Sequence, residues 1–283
     1  MLPFQQVDVF TAVPFKGNPV AVILEGDALT AGEMQTIARW TNLSETTFVC
    51  SPTDPSADYR LRIFTPKNEL PFAGHPTIGS AHAVLRQGRT PKTAGRLVQQ
   101  CGKGLIQIEH DGERGFFALP TPRFVDGGEQ LRDGLAHALG VAPSALRSIT
   151  TVDVGPVWIT VEMLSADAVL ALTPDMGGLC TLMPDGRTGV TVFGLHDPAE
   201  EADIEVRSFA PGEGVPEDPV CGSGNGCVAA VVRQRRLIAK REYQARQGRC
   251  LGRDGRIAIR FADDGTIWVG GQAVTCVEGV LTV

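Results

Sequence analysis

The feature that most limits how this chain can fold is a match of the sequence to itself. Val7-Asp8-Val9 recurs as Val152-Asp153-Val154, and Phe48 falls on Phe193, both at an offset of 145. Arg62-Ile63-Phe64-Thr65-Pro66 recurs as Arg207-Ser208-Phe209-Ala210-Pro211 at the same offset. The offset then rises to 148 (Ala73-Gly74-His75 on Cys221-Gly222-Ser223), 151 (Gly104–Ile108 on Gly255–Ile259) and 153 (Gly112 on Gly265). Each match alone is weak. An offset that drifts by a few residues, always upward, is what one ancestral unit used twice would leave.

Within each copy the hydrophobic period changes repeatedly. Tyr59–Phe64, Asp203–Arg207, Leu105–Ile108 and Ile257–Phe261 alternate with period two, which predicts half-buried strands. Two kinds of helix lie between them. Thr30-Ala31-Gly32-Glu33 has the form of a capping box, with Leu29 and Met34 placed as a hydrophobic staple. Leu131, Leu135 and Leu139, closed by Gly140, predict a second amphipathic helix. By contrast Ile78–Leu85 and its partner Cys227–Val232 are apolar nearly all round, so those helices must be enclosed. The expectation is an α/β (α+β) chain of two pseudo-symmetric barrel-like halves, each a curved, mostly antiparallel sheet around a central buried helix. Leu119-Pro120-Thr121-Pro122 is the expected hinge. Residues 1–118, with about 276–283 crossing back, would form the N-terminal domain, and 123–275 the C-terminal one.

Composition narrows the function. The 26 basic and 32 acidic residues give a net charge of −6, with no basic block to meet a phosphate backbone, so nucleic acid is not expected as a partner. The longest apolar runs, such as Pro19–Leu24, are far too short to span a bilayer, and the first residues lack the pattern of a signal peptide. A cytoplasmic protein with reduced thiols is the expectation. The seven cysteines and five histidines are scattered, without the spacing of a zinc site, so no metal is expected.

Chemistry is expected where the copies differ. Both enclosed helices start in small-residue loops, Phe72–Thr77 and Val220–Gly226. Amides at Gly74, Gly222, Ser223 and Gly224 would suit a carboxylate, although glycines that merely permit tight helix entry would look the same. Neither loop has the spacing of a dinucleotide or P-loop fingerprint. Glu45 stands at the mouth of a strand, and its repeat partner is Val190. A carboxylate on one copy alone suits a single general base, and also suits a solvated strand-end glutamate. Asp218 lies five residues before Ser223, where it reads as a site residue or as a turn aspartate before proline. His75 follows Gly74 at a helix start, where the dipole favours a neutral imidazole able to donate or relay a proton, or simply places a cap-region histidine.

These segments together resemble a known family. Asp8-Val9-Phe10 with Pro14–Val22, Ser44–Val49, Phe64–Thr77, Glu217–Ser223, Gln247-Gly248 and Gly252–Gly255 are similar to the phenazine-biosynthesis PhzF-like proteins. The resemblance implies the diaminopimelate epimerase fold, with two α/β barrels each around a central helix, a site between them and no cofactor. It implies catalytic roles for Glu45, His75 and Asp218, substrate binding at Gly74, Gly222, Ser223 and Gly224, and a homodimer. The implied reaction is a proton shift on a small carboxylated, cyclic metabolite, as in isomerisation of trans-2,3-dihydro-3-hydroxyanthranilate. One departure matters: Cys221-Gly222 stands where the family commonly has Thr-Gly, and resembles a loop of the two-cysteine racemases. Its repeat partner is Ala73, so a two-thiol mechanism lacks one thiol, and Cys221 reads as small buried packing. An amino- or imino-acid racemase using Glu45 and Cys221 is the competing enzyme reading. A non-catalytic binding or scaffold protein on the same fold is the third.

Overall fold

A computed structural model describes residues 1–125, 127–183 and 186–283. Its contacts divide the chain into two units, Met1–Ala118 with Gly270–Val283, and Leu119–Val269.

The first unit contains β1 (Leu2–Val9), β2 (Asn18–Ile23), α1 (Ala31–Thr41), β3 (Thr46–Cys50), β4 (Tyr59–Phe64) and β5 (Glu69–Leu70). It continues with α2 (Gly74–Arg86), β6 (Arg96–Cys101), β7 (Gly104–His110) and β8 (Arg114–Ala118). Strand neighbours run β1–β2–β3–β4–β6–β7–β8, and the chain's last strand, Ile267–Leu281, pairs with both β8 and β1. That closes a barrel of eight strands, with β5 as an extra hairpin partner of β4. Along that run only two junctions are parallel, β2–β3 and β4–β6. A parallel junction needs a crossover, and each of these carries a helix. The sequence of each helix decides which side of the sheet it takes.

In α1 the predicted capping box is present: Thr30 Oγ1 accepts from the Glu33 amide, and the Glu33 carboxylate accepts from the Thr30 amide at 2.8 Å. Its apolar stripe, Met34 and Ala38, packs outside the barrel on Ile23, Phe48 and Phe64, with Leu29 alongside. The other crossover runs through the barrel. Helix α2 touches β1, β2, β3, β4 and β8, and His75 through Ala81 are all buried. Gly79 is needed there, because a Cβ would lie 2.5 Å from Val20 Cγ1 and 2.9 Å from Val9 Cγ2. Polar groups inside are paired: Ser80 with Thr47 at 2.9 Å, and Thr77 with Gln99 at 3.1 Å.

The second unit contains β9 (Arg123–Val125), α3 (Arg132–Leu139), β10 (Leu146–Asp153), β11 (Val157–Met163), α4 (Ala166–Leu170) and α5 (Met176–Leu182). Then come β12 (Gly189–Leu195), β13 (Ile204–Ala210), β14 (Val215–Asp218), α6 (Gly222–Arg235), β15 (Glu242–Gln247), β16 (Gly255–Phe261) and the start of the last strand, β17 (Ile267–Leu281). Pairing repeats the first unit: β10–β11 antiparallel, β11–β12 parallel, β12–β13 antiparallel, β13–β15 parallel and β15–β16 antiparallel. Again the two parallel junctions carry the helices. Helices α4 and α5 occupy the first crossover; Val169 and Leu179 join α3's Leu135 and Leu139 in a core over Ile159, Val161, Val190 and Phe209. As predicted, α3 ends on Gly140 in the left-handed region, at φ +74°. Helix α6 takes the second crossover, touches β10, β11, β12 and β16, and is buried from Gly224 through Val232. The fold class read from the repeat is the fold observed.

Candidate active site

In the first unit Glu45 and His75 come together. Helix α1 ends at Asn42, whose φ of +54° turns the chain sharply enough for Glu45 to precede β3 directly. The Glu45 carbonyl accepts from the Ala21 amide at 3.4 Å, tying this corner to β2. His75 is the second residue of α2, at the entry of the enclosed helix. Its Nε2 lies 3.3 Å from Glu45 Oε2, with the imidazole 6% and the carboxylate 16% exposed. Glu45 Oε2 is buried and accepts no hydrogen bond with good geometry. Burial therefore dominates its titration and pushes the carboxyl up to about 7, against a hydrogen bond from Ser44 that favours the charged form. A carboxyl half-ionised near neutrality can both take and return a proton.

On the far side of the imidazole, Asn18 Nδ2 lies 3.5 Å from His75 Nδ1, with Asn18 buried at the start of β2. An amide nitrogen only donates, so this contact favours the tautomer in which Nδ1 accepts and the ring proton sits on Nε2, on the side of Glu45. Asn18 is held by a tight preceding turn, in which the Gly17 amide donates to buried Asp8 Oδ2 at 2.9 Å. Gly74 has a packing reason of its own, since a Cβ would sit 2.7 Å from Phe117 Cζ.

Asp218, Gly222, Ser223 and Gly224 lie together in the second unit, at the end of β14 and the entry of α6. Asp218 Oδ1 accepts from the Val220 amide at 3.0 Å, a turn contact of the kind aspartate makes before proline. Cys221 is the N-cap of α6, its Sγ accepting from the Gly224 amide at 3.3 Å. The thiol is buried, and burial together with the Asp218 charge pushes its pKa well above the ordinary thiol range. It is a neutral cap, not a thiolate. Ser223 Oγ accepts from Trp158 Nε1 at 3.0 Å. Gln247 ties the loop together: its Oε1 accepts from the Cys221 amide at 3.1 Å and Asn225 Nδ2 at 2.7 Å, and its Nε2 donates to the Asp218 carbonyl at 2.9 Å.

Three of these residues escaped the sequence reading. Asn18 and Gln247 stood inside motifs without an assigned role, and Trp158 on a strand gave no local signal at all. Among the described residues, no three His, Cys, Asp or Glu side chains converge as metal ligands, and no helix is long and apolar enough to cross a membrane.

Comparison with known proteins places the chain in a family. The family model described as "Phenazine biosynthesis-like protein" matches residues 7–279. "Antisense-enhancing sequence 1" of Schizosaccharomyces pombe is 40% identical over 98% of this chain and 97% of that protein. The trans-2,3-dihydro-3-hydroxyanthranilate isomerase of Pseudomonas aeruginosa is 34% identical over 96% of each. A crystal structure of a Bacillus anthracis PhzF-family protein superposes with a TM-score of 0.86 and 25% identity, covering 100% of this chain and 99% of that one. The repeated fold and matches of this length have one common explanation: the chain is an isomerase belonging to the phenazine biosynthesis-like (PhzC-PhzF) family.

Proposed function

We propose that this isomerase moves a proton on a small, cyclic, carboxylated metabolite by acid/base catalysis, with no cofactor. The observation that carries the reading is Glu45, a carboxyl brought to about 7 by burial, 3.3 Å from His75 Nε2. A carbon acid made more acidic by conjugation to a carboxylate gives its proton to ionised Glu45. The resulting carboxylic acid returns a proton at another carbon of the same conjugated system, so the double bond shifts and the enzyme ends as it began. His75, with its ring proton on Nε2, relays or steadies that proton, and Asp218 orients the substrate. The proposed substrate-binding positions are Gly74 in the first unit and Gly222, Ser223 and Gly224 in the second, and the first amides of α6 suit an anionic group. A dihydro-hydroxyanthranilate fits this chemistry, and it is the substrate in the name of the Pseudomonas aeruginosa relative. By analogy with the family, the working form is a homodimer.

The test is incubation with a panel of cyclic carboxylic acids in deuterated water. Deuterium uptake with a shifted double bond supports the reading. Uptake with inverted stereochemistry makes the protein a racemase, and no uptake across the panel makes it a binding protein.

A further inference from the structure

A serine hydroxyl can meet a ligand as donor or acceptor, and the partner it already holds sets where its single hydrogen points. At Ser223 that partner is the Trp158 indole, 3.0 Å away. Indole N–H donates and cannot accept, so it takes a lone pair of Oγ and leaves the hydroxyl hydrogen directed elsewhere. Its other near neighbour is Cys221 Sγ at 3.6 Å, a sulfur that already receives the Gly224 amide. Sulfur is weak as donor and as acceptor, so a carboxylate oxygen arriving at half-buried Ser223 competes well for the hydroxyl hydrogen.

The indole has little freedom to do anything else. Trp158 is 3% exposed on β11, directly across the parallel ladder from Gly189 of β12. A Cβ at Gly189 would approach Trp158 Cζ3 to 3.0 Å and the Phe209 carbonyl oxygen to 2.1 Å. Glycine there makes room for the ring, and the enclosed helix brings Ser223 to it.

We infer that Trp158 is a positioning residue: its indole N–H takes one lone pair of Ser223 Oγ and turns the hydroxyl hydrogen toward the arriving group, so the entry of α6 favours a carboxylate oxygen over an amine. The inference rests on the reading that Ser223 binds substrate, and the experiment separates the two.

Anthranilate and aniline serve as probes, differing only in the carboxylate, with the full-length protein observed by nitrogen–proton NMR. Trp40 and Trp268 are the only other tryptophans, so Trp40→Phe and Trp268→Phe assign the Trp158 indole signal by elimination. Anthranilate should shift that signal in the unmodified protein and leave it in place in Ser223→Ala, and aniline should not shift it. Trp158→Phe keeps most of the ring volume and removes the donor. It should weaken anthranilate binding about 10-fold, the scale of one hydrogen bond to a charged group. Ser223→Ala should weaken it similarly, and the double variant no further. Loss in Ser223→Ala with none in Trp158→Phe would overturn the role of Trp158 and leave Ser223 as a binding residue. Undiminished binding in both would overturn Ser223 as well. If Trp158→Phe failed to fold, the indole signal in the unmodified protein and in Ser223→Ala would still decide: an indole signal unmoved by saturating anthranilate refutes the inference.

Discussion

Replacing Glu45 by glutamine should stabilise the protein at alkaline pH and do almost nothing in acid. Burial raises the folded carboxyl from 4.5 to about 7, so the folded state holds its proton where the unfolded chain has lost it. Below pH 4.5 the group is neutral in both states and contributes nothing. Between 4.5 and 7 unfolding releases a proton, so stability falls as pH rises, and above 7 the cost is constant. A shift of about 2.5 units corresponds to about 3 kcal/mol. Glutamine has a similar shape and no charge to desolvate. Glu45→Gln should therefore match the unmodified protein near pH 4 and exceed it by about 3 kcal/mol at pH 8, roughly 10 °C in the melting of a unit this size. Urea and thermal unfolding of both proteins from pH 4 to 8 measure the difference directly. A difference that stayed flat across that range would refute the burial argument, and with it the origin of the base.

Four further outcomes follow from the packing. Gly79→Ala forces a Cβ against Val20 and Val9 inside the barrel, and overpacking less the helix-propensity gain should cost about 1–2 kcal/mol in denaturant titration. Arg207 forks onto Glu217 at 2.9 Å and donates to the Leu172 carbonyl at 2.8 Å, all but buried, so Arg207→Met strands a buried carboxylate and should cost about 3–5 kcal/mol. Iodoacetamide should label exposed Cys180 and Cys250 in the native protein and reach Cys221 only after unfolding, while Cys221→Ser keeps a capping side chain and should change stability by less than about 1 kcal/mol.

The architecture was legible because its determinants are local and written twice. Alternating strands, one amphipathic and one wholly apolar helix per copy, and the capping box at Thr30 are each set by spacing along the chain, and the slowly rising offset supplied the pseudo-symmetry. Even the placement of the helices follows from composition: a helix apolar all round, such as α6, has no face to give to water. Glu45 and His75 were legible as departures from the repeat, each lacking its like in the other copy. Their meeting at 3.3 Å was not, because it depends on how the corner after α1 and the entry of α2 approach the same end of one barrel. The partners of the site were hidden for the same reason. Asn18 lies 57 residues from His75, and Trp158 lies 65 residues from Ser223. No period or motif reports a contact of that separation. Cys221 is a milder case: its Cys-Gly context resembles a catalytic thiol, the alanine at its repeat position favours packing, and its burial and its capping bond to Gly224 support the packing reading.

The account stands on Glu45 as the group that moves the proton, and one comparison tests it most directly. With the acid that takes up deuterium in the panel as substrate, solvent deuterium incorporation by the unmodified protein is set beside that of Glu45→Gln and Cys221→Ser. Glu45→Gln should still bind the substrate and should lose incorporation by roughly two to four orders of magnitude, while Cys221→Ser remains near the unmodified rate. Incorporation by Glu45→Gln at close to the unmodified rate, with Cys221→Ser inactive, would contradict the account and give the chemistry to the thiol.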